Sequence, residues 1–370
     1  MVGADQIDGF VRQAEYERDA HLAQTLKRLA MYGPLPIMGF AGVNHARSGS
    51  NLVVTKLIGL SYLAHGGTGP QALLTPRRMA LAATAHEMFQ DAALVHDDLM
   101  DRSNTRRGRR SLHRYYAGVH EESNWLGEPA RMGRCLALMI GDCLLAASGD
   151  LFYEALDAIH GEMADYLVAL HQTTRVEQLM GQSFDTILPY LPGMEDPDKV
   201  IQNALDTLRA KTARYLAGTP LALGAAGAGA NRAEADIMMN VGLALGEAYQ
   251  LKDDLVGALG DPELSGKPVG QDLIDGKRTV LVGLTLRLLE LKERRAFAGA
   301  LLRGDAPPVE ARVRHLQAVI QASGAVEELE EMIAGRRQQA FEILDSSVLD
   351  VSGRQAVREM ADWLLAPARA

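Results

Sequence analysis

Aromatic residues make up only 5% of the 370 positions, and runs of β-branched residues are scarce. Strands draw on those types, so a sheet-built core is disfavoured. Cysteine is nearly missing. The two present, Cys135 and Cys143, lie eight apart in an apolar segment without histidines at ligand spacing, so neither a disulfide framework nor a zinc site is expected, and both read as small core residues. Positive charge is in deficit: 38 Lys and Arg against 47 Asp and Glu leave a net charge of −9, with no long basic face, which argues against a nucleic-acid partner. No uninterrupted apolar stretch reaches 18 residues, and the beginning, MVGADQIDGFVRQAEYERDAHLAQTL, is charged and amphipathic rather than basic and then apolar. Stable membrane insertion is therefore not expected, and a cytoplasmic location is.

What is present favours helix. Ala, Leu, Glu and Arg recur in long stretches, all good helix formers, and the length is ample to bury a real core. From Pro76 to about Asp101 the apolar positions Met79, Ala82, Ala83, Ala85, Met88, Phe89, Ala92, Ala93 and Val95 recur at three- and four-residue steps, predicting one long helix. Further helices are expected over about 135–158, 162–188, 198–225 and 232–255, and from 279 to 365 with breaks at GDAPP and a Ser/Gly step. MYGPLPIMGFAGVNHARSGSN and HGGTGPQALLTP break periodicity, and a polar loop is expected through GVHEESNWLGEPARMG. No clear repeat, low-complexity tract or linker appears. The simplest organisation is one all-α domain over 1–370, with an N-terminal helix over 1–30, a motif-bearing core over 76–285 and C-terminal helices over 286–370.

The chemistry concentrates in two stretches. In VHDDLMDRSNTRRG, Asp97 and Asp101 are i,i+4 neighbours on one helix face and Asp98 is rotated by about 100° from Asp97. Three carboxylates there repel unless a hard cation joins them, and Mg²⁺ favours one or two carboxylates plus waters and phosphate oxygens. Alone, the segment also reads as a solvated acidic helix end. A calcium loop fails on spacing, because the twelfth position from Asp97 is Gly108. The second stretch, YQLKDDLVGALGDPELSGKPVGQDLIDGKRT, mirrors the first: Asp253 and Asp254 end a helix, Asp261 follows in a Gly/Pro-rich loop, and Lys267, Lys277 and Arg278 lie beyond. Two acidic helix ends facing each other across a cavity could hold a Mg²⁺–diphosphate assembly. A P-loop reading of GDPELSGKP fails because Pro268 stands where Ser or Thr is needed.

In these residues the chain resembles the trans-isoprenyl diphosphate synthases, or polyprenyl synthetases. HDDLMDRSNTRRG is similar to the first aspartate-rich motif and the second stretch to the other. AKTARYLAGTPLALGA between them supplies Lys211 and Thr212, and GQSFD supplies Gly181, Gln182 and Asp185. The resemblance implies an isoprenoid-synthase bundle around a central cavity, usually a homodimer, that joins C5 units head to tail with Mg²⁺. It implies that Asp97, Asp98, Asp101 and Asp253 hold the metals, with Asp254 as an outer or third-ion partner, and that three ions assemble with the diphosphate. Arg106, Lys211 and Lys267 would contact the allylic diphosphate, Lys277 would bind substrate, and Arg107 and Gln90 would lie on the isopentenyl diphosphate side. Asp97 and Asp98 would promote ionisation, and Thr212 and Gln250 would steady the allylic cation. Released pyrophosphate would accept the final proton, so His96 reads as a hydrogen-bonded helix residue rather than a base.

The chain also departs from the family. The upstream GGKRxRP segment, whose lysine and arginine bind isopentenyl diphosphate, corresponds here to RSGSNLVVTKL: Gly49 matches, but Ser50 and Val53 replace the two cations. Losing two charge-assisted contacts costs on the order of 3 kcal/mol if nothing replaces them, and Lys56 or Arg47 could substitute. Gly257 stands at the last position of the second DDxxD pattern. Below the first motif, Ala93 and Ala92 are small, while Phe89 lies about 12 Å down the helix. Either Phe89 floors a cavity suited to a product near C20, or it packs in the core. Three functions follow: prenyl elongation of the geranylgeranyl type, a terpene-synthase-like ionisation without isopentenyl diphosphate, or a prenyl-diphosphate-binding subunit of a hetero-oligomer.

Overall fold

The computed structural model describes residues 2–33, 35–260, 270–302 and 309–366. Among the described residues it is all-α apart from a two-stranded hairpin, and the chain divides into two compact units. The first comprises Met1–Gln172, Thr219–Met238 and Ser347–Met360, and the second Thr173–Gly218, Met239–Ser346 and Ala361–Ala370.

The first unit is organised on α4 (Pro76–Met100). Thr75 caps it by accepting from the Arg78 amide at 3.4 Å, and Pro76 fills the first helical position, where no N–H is needed. Buried residues occupy nearly every face from Met79 to Ala93, the signature of a central helix. α6 (Pro129–Leu156) packs along it, and α1 (Ala4–Leu29) and α3 (Val53–Ala64) flank it. α9 (Thr219–Gly227) lies against α3, where the Ser61 hydroxyl donates to the Leu221 carbonyl at 2.7 Å.

Two elements appear where breaks were expected. α2 (Leu35–Arg47) forms despite its glycines, with Pro36 confined to the first turn, where it removes no helical hydrogen bond. Its Gly39 carbonyl accepts from the Tyr116 hydroxyl at 2.8 Å. Running into the start of the expected polar loop at 118–122, α5 (Leu112–Glu122) buries Leu112, His113, Tyr116, Ala117 and His120, a helical spacing in which histidines take apolar places.

The cysteines also differ from expectation. Cys135 and Cys143 are exposed on α6 together with Leu138 and Met139, because the buried face of that helix is the Gly133, Ala137, Ile140, Gly141 and Leu144 side turned to its neighbours. α6 is long and apolar enough to cross a membrane by length and composition, and 39% of its most apolar window is buried within the protein.

In the second unit, α8 (Pro197–Leu208) starts with the Asp196 side chain accepting from the Lys199 amide at 3.2 Å. It buries Val200, Ile201, Ala204 and Leu208 against a core that includes Val280–Leu286, Phe297, Leu316, Ile320 and Leu329. The expected helix over 198–225 is not uniform: Arg209–Gly218 is wound as a π-helix, a geometry frequent at functional sites. α7 (Glu162–Ile187) and α10 (Arg232–Leu259) carry the remaining motifs. The expected break at GDAPP, 304–308, lies outside the described residues.

Candidate active site

α4 delivers the first aspartate cluster on its last turn and ends as the Asp101 amide bonds to the Asp97 carbonyl at 2.8 Å. The chain then reverses through a hairpin pairing Thr105 with Arg110 and Arg106 with Arg109. Its two loop residues, Arg107 and Gly108, both have positive φ, at 53° and 71°, the conformation that matches strand twist in two-residue hairpins. This turn separates two adjacent arginines. Arg106 folds back onto α4, donating from Nε and Nη2 to Asp98 Oδ1 at 3.0 and 2.7 Å and from Nη2 to Asp97 Oδ2 at 3.0 Å. Arg107 is directed toward Gly49 instead.

Asp98 is only 4% exposed. Burial pushes its pKa up to about 6 against the opposing pull of Arg106, and Asp97 and Asp101 add to the rise. Burial also works against the Arg106 charge, but Asp98 and then Asp97 outweigh it and hold the guanidinium ionised. His96 packs beside this cluster, with Nε2 3.4 Å from the Leu138 carbonyl and 3.5 Å from Asp142 Oδ1, in keeping with a hydrogen-bonded helix residue. On the same helix, Phe89 and Ala92 are fully buried, as is most of Ala93.

The second unit assembles the other motif residues. The Lys211 ammonium donates to Asp185 Oδ2 at 2.6 Å, and the Lys277 ammonium lies 3.9 Å from that oxygen and 3.6 Å from Asp272 Oδ1. The Thr212 hydroxyl donates to Gln250 Oε1 at 2.7 Å, and the Gln250 amide donates to Asp254 Oδ1 at 2.8 Å. Gly181 makes the arrangement possible: a Cβ there would lie 2.2 Å from the Lys211 backbone nitrogen, so only glycine admits α7 this close to the π segment. Asp254 is buried, and its pKa rises well above the usual carboxylate range from burial first, then from Asp272, Asp253 and Asp185. Asp253 is half-buried beside it.

Asp272 was missed from sequence, and the structure explains Gly257 with it. A Cβ at Gly257 would lie 2.1 Å from Asp272 Oδ2, so the carboxylate absent from the end of the DDxxD pattern is replaced in space by one from Gln271–Ile274. The GQD triplet before DGKR was the available signal. Arg278 proves structural: it donates to the Pro192 and Pro189 carbonyls at 3.3 and 3.4 Å and also to that of Leu191. Lys267 and Asp261 lie outside the described residues.

Mg²⁺ fits the chemistry of these donors. Among the described residues no three His, Cys, Asp or Glu side chains already surround one point, and an open carboxylate set is what Mg²⁺ uses when waters and phosphates complete its shell. Asp98 and Asp254 bear the cost of burial and of neighbouring carboxylates, which a divalent cation would relieve.

Comparison with known proteins decides the family. The profile described as Polyprenyl synthetase matches residues 56–320. The chain belongs to the polyprenyl synthetase family. It is 32% identical over 227 residues to a geranylgeranyl diphosphate synthase of Sulfolobus acidocaldarius, covering 60% of this chain and 61% of that one. It is 31% identical over 211 residues to a short chain isoprenyl diphosphate synthase of Methanocaldococcus jannaschii, covering 56% of each. The matched stretches thus span less than two thirds of these relatives. A crystal structure of geranylgeranyl pyrophosphate synthase from Corynebacterium glutamicum, complexed with isoprenyl diphosphate and magnesium, is 28% identical with a TM-score of 0.84, covering 96% of this chain and 99% of that one. The all-α fold expected from composition is therefore the fold of this polyprenyl synthetase family.

Proposed function

We propose that the chain is a Mg²⁺-dependent prenyltransferase that condenses isopentenyl diphosphate with an allylic diphosphate to give a longer trans-prenyl diphosphate and pyrophosphate. The observation that carries this reading is the partly buried cluster in which Arg106 folds back onto Asp97 and Asp98 at the end of α4, in a chain that matches the polyprenyl synthetase family. Asp97, Asp98 and Asp101 would hold metal in the first unit, and Asp253 and Asp254 in the second, where Asp272 adds negative charge. Three ions in all fit the reading. When bound, Mg²⁺ supplies positive charge to the departing pyrophosphate.

The chain's own groups do the rest. Arg106 and Lys211 bear the charge that the leaving oxygens acquire as the allylic C–O bond breaks and its electron pair departs with pyrophosphate. The Thr212 hydroxyl oxygen and the Gln250 carbonyl, held by the chain of bonds to Asp254, present negative ends toward the allylic cation. The isopentenyl double bond then forms the new C–C bond, and the proton lost passes to pyrophosphate. Purified protein with Mg²⁺, labelled isopentenyl diphosphate and each of the C5, C10, C15 and C20 allylic diphosphates tests the reading. Label in a longer diphosphate is expected. Hydrocarbon or alcohol formed without isopentenyl diphosphate would replace it with terpene-synthase chemistry, and no turnover would point to a binding subunit.

We read a product near C20 from α4. Ala93 lies about 6 Å below Asp97 along the helix and is small, whereas Phe89 is bulky and fully buried. Ala93→Phe is expected to shift the main product to C15 or shorter, read by chromatography of dephosphorylated products; an unchanged distribution would mean that this face of α4 does not bound the tail.

We also place the protein in the cytoplasm as a homodimer. The exposed face of α6 carries Leu138 at 47% and Met139 at 52% exposure, but Arg131, Arg134, Asp142 and Asp150 are exposed along the same helix, which disfavours a lipid surround and suits a second copy. Met139→Glu is expected to convert a dimer into the 40.0 kDa chain in light scattering with size exclusion. A monomeric wild type would overturn this assignment.

A further inference from the structure

The two positions that should carry cations for isopentenyl diphosphate hold Ser50 and Val53 instead, and their surroundings are occupied as follows. Ser50 and Thr55 are both spent on Glu87: the Ser50 hydroxyl lies 3.3 Å from Oε1, and the Thr55 amide and hydroxyl donate to Oε2 at 3.1 and 2.8 Å. Glu87 therefore has partners of its own and does not consume an arginine. One turn further along α4, Asp91 is 2% exposed and Gln90 is 8% exposed. Into this corner comes Arg47 from the last residue of α2, itself only 8% exposed, with Nε 3.4 Å from Asp91 Oδ2.

That contact lacks hydrogen-bond alignment. Arg47 Nε and Nη1, Gln90 Oε1 and Arg107 Nη1 are all buried without a hydrogen-bond partner. Burial pushes the Asp91 pKa up to about 7 against the pull of Arg47, so Asp91 is a poor permanent counter-ion. Gly49, exposed and at a φ of +79°, passes beside Arg107, where a Cβ would lie 3.5 Å from that of the arginine. Three elements thus converge on unspent guanidinium donors: the end of α2 with its following loop, α4, and the hairpin.

We propose that Arg47 joins Arg107 and Gln90, the residues that the resemblance places on the isopentenyl diphosphate side, and binds that diphosphate in place of the cations lost at Ser50 and Val53. The inference rests on the prenyl-transfer reading, in which two diphosphates bind and only one departs. The retained diphosphate needs no metal, because no charge builds on it, and is suited to direct donors. Arg106 is turned to Asp97 and Asp98, on the side of the diphosphate that departs. Guanidinium forks match phosphate oxygens and are less hydrated than ammonium groups, so a buried arginine is suited to hold a phosphate there.

The test is a comparison of KM values. In Arg47→Ala the KM for isopentenyl diphosphate is expected to rise about tenfold to a hundredfold, while that for the allylic diphosphate stays within about threefold. Arg47→Lys should recover part of the loss and Arg47→Gln none. These two variants keep a polar head in the buried corner, and melting curves of all three establish that they fold. Calorimetric titration of isopentenyl diphosphate without Mg²⁺ into wild type and variants reads the site directly. Equal affinity, or an unchanged KM in an enzyme that elongates, overturns the assignment of Arg47. A wild type that does not elongate sinks the prenyl-transfer reading instead; there, loss of titrated binding in the variants would still support the site, and retained binding would remove it.

Discussion

Asp98→Asn is expected to lower turnover about a thousandfold or more while leaving the fold intact. The side chain is nearly isosteric and keeps an oxygen for Arg106, but it removes the charge on which a bound cation depends. Its effect on stability should run the other way. In the fold the Asp98 pKa is raised from 3.8 to about 6, so the native state holds this proton more tightly than the unfolded chain. The associated stabilisation is fully present below pH 3.8 and is lost as pH rises through 6. At pH 8 the wild type carries an ionised, buried carboxylate at a cost of roughly 3 kcal/mol or less, which asparagine avoids. The variant should therefore melt at or above wild type at pH 8, and the two should converge toward pH 4. Because metal requires the ionised form, wild-type Mg²⁺ affinity should strengthen as pH rises through about 6. Near-normal turnover in Asp98→Asn would remove Asp98 from the metal site.

This opposition of stability and function explains which parts of the molecule were legible in sequence. α4 was readable almost to the residue because its apolar spacing is long and its start combines Thr75 and Pro76. The first cluster was readable because all its members lie within ten residues, so helix geometry alone brings Asp97 and Asp98 within reach of a returning hairpin. α5 was not, because His113 and His120 are buried where a pattern reader expects apolar residues. α2 was not, because its glycines resemble loop signals while serving close packing. Asp272 is invisible to motif spacing: it reaches Gly257 through a turn, and only the clash a Cβ would make reveals the pairing. The cysteines failed for a related reason, since an apolar helix has an exposed side and composition does not say which residues occupy it. Arg47 was one of two candidates in sequence, and burial with unspent donors distinguishes it.

Lys211→Ala should be nearly as damaging, with a fall of about a hundredfold to a thousandfold in kcat/KM for the allylic diphosphate. Two explanations for such a loss must be separated. Lys211 donates to Asp185 at 2.6 Å, whereas Lys277 stands 3.9 Å from the same oxygen, so removing Lys211 also leaves Asp185 with weaker compensation. That alone would disturb a neighbourhood in which Asp185 already raises the Asp254 pKa. If neutralising Asp185 were the purpose of Lys211, removing both charges in a Lys211→Ala/Asp185→Asn double variant would restore activity. If Lys211 contacts diphosphate, the double variant stays as impaired as the single one, because the missing positive charge is then missing from the substrate. Double-mutant coupling reads this difference directly, and recovery to within about tenfold of wild type would reassign Lys211 to structural support. Asp185→Asn alone provides the remaining corner of the cycle. It frees the ammonium from its 2.6 Å partner, so allylic diphosphate should bind at least as tightly as in wild type, provided that Gly181 still lets α7 approach the Lys211 backbone.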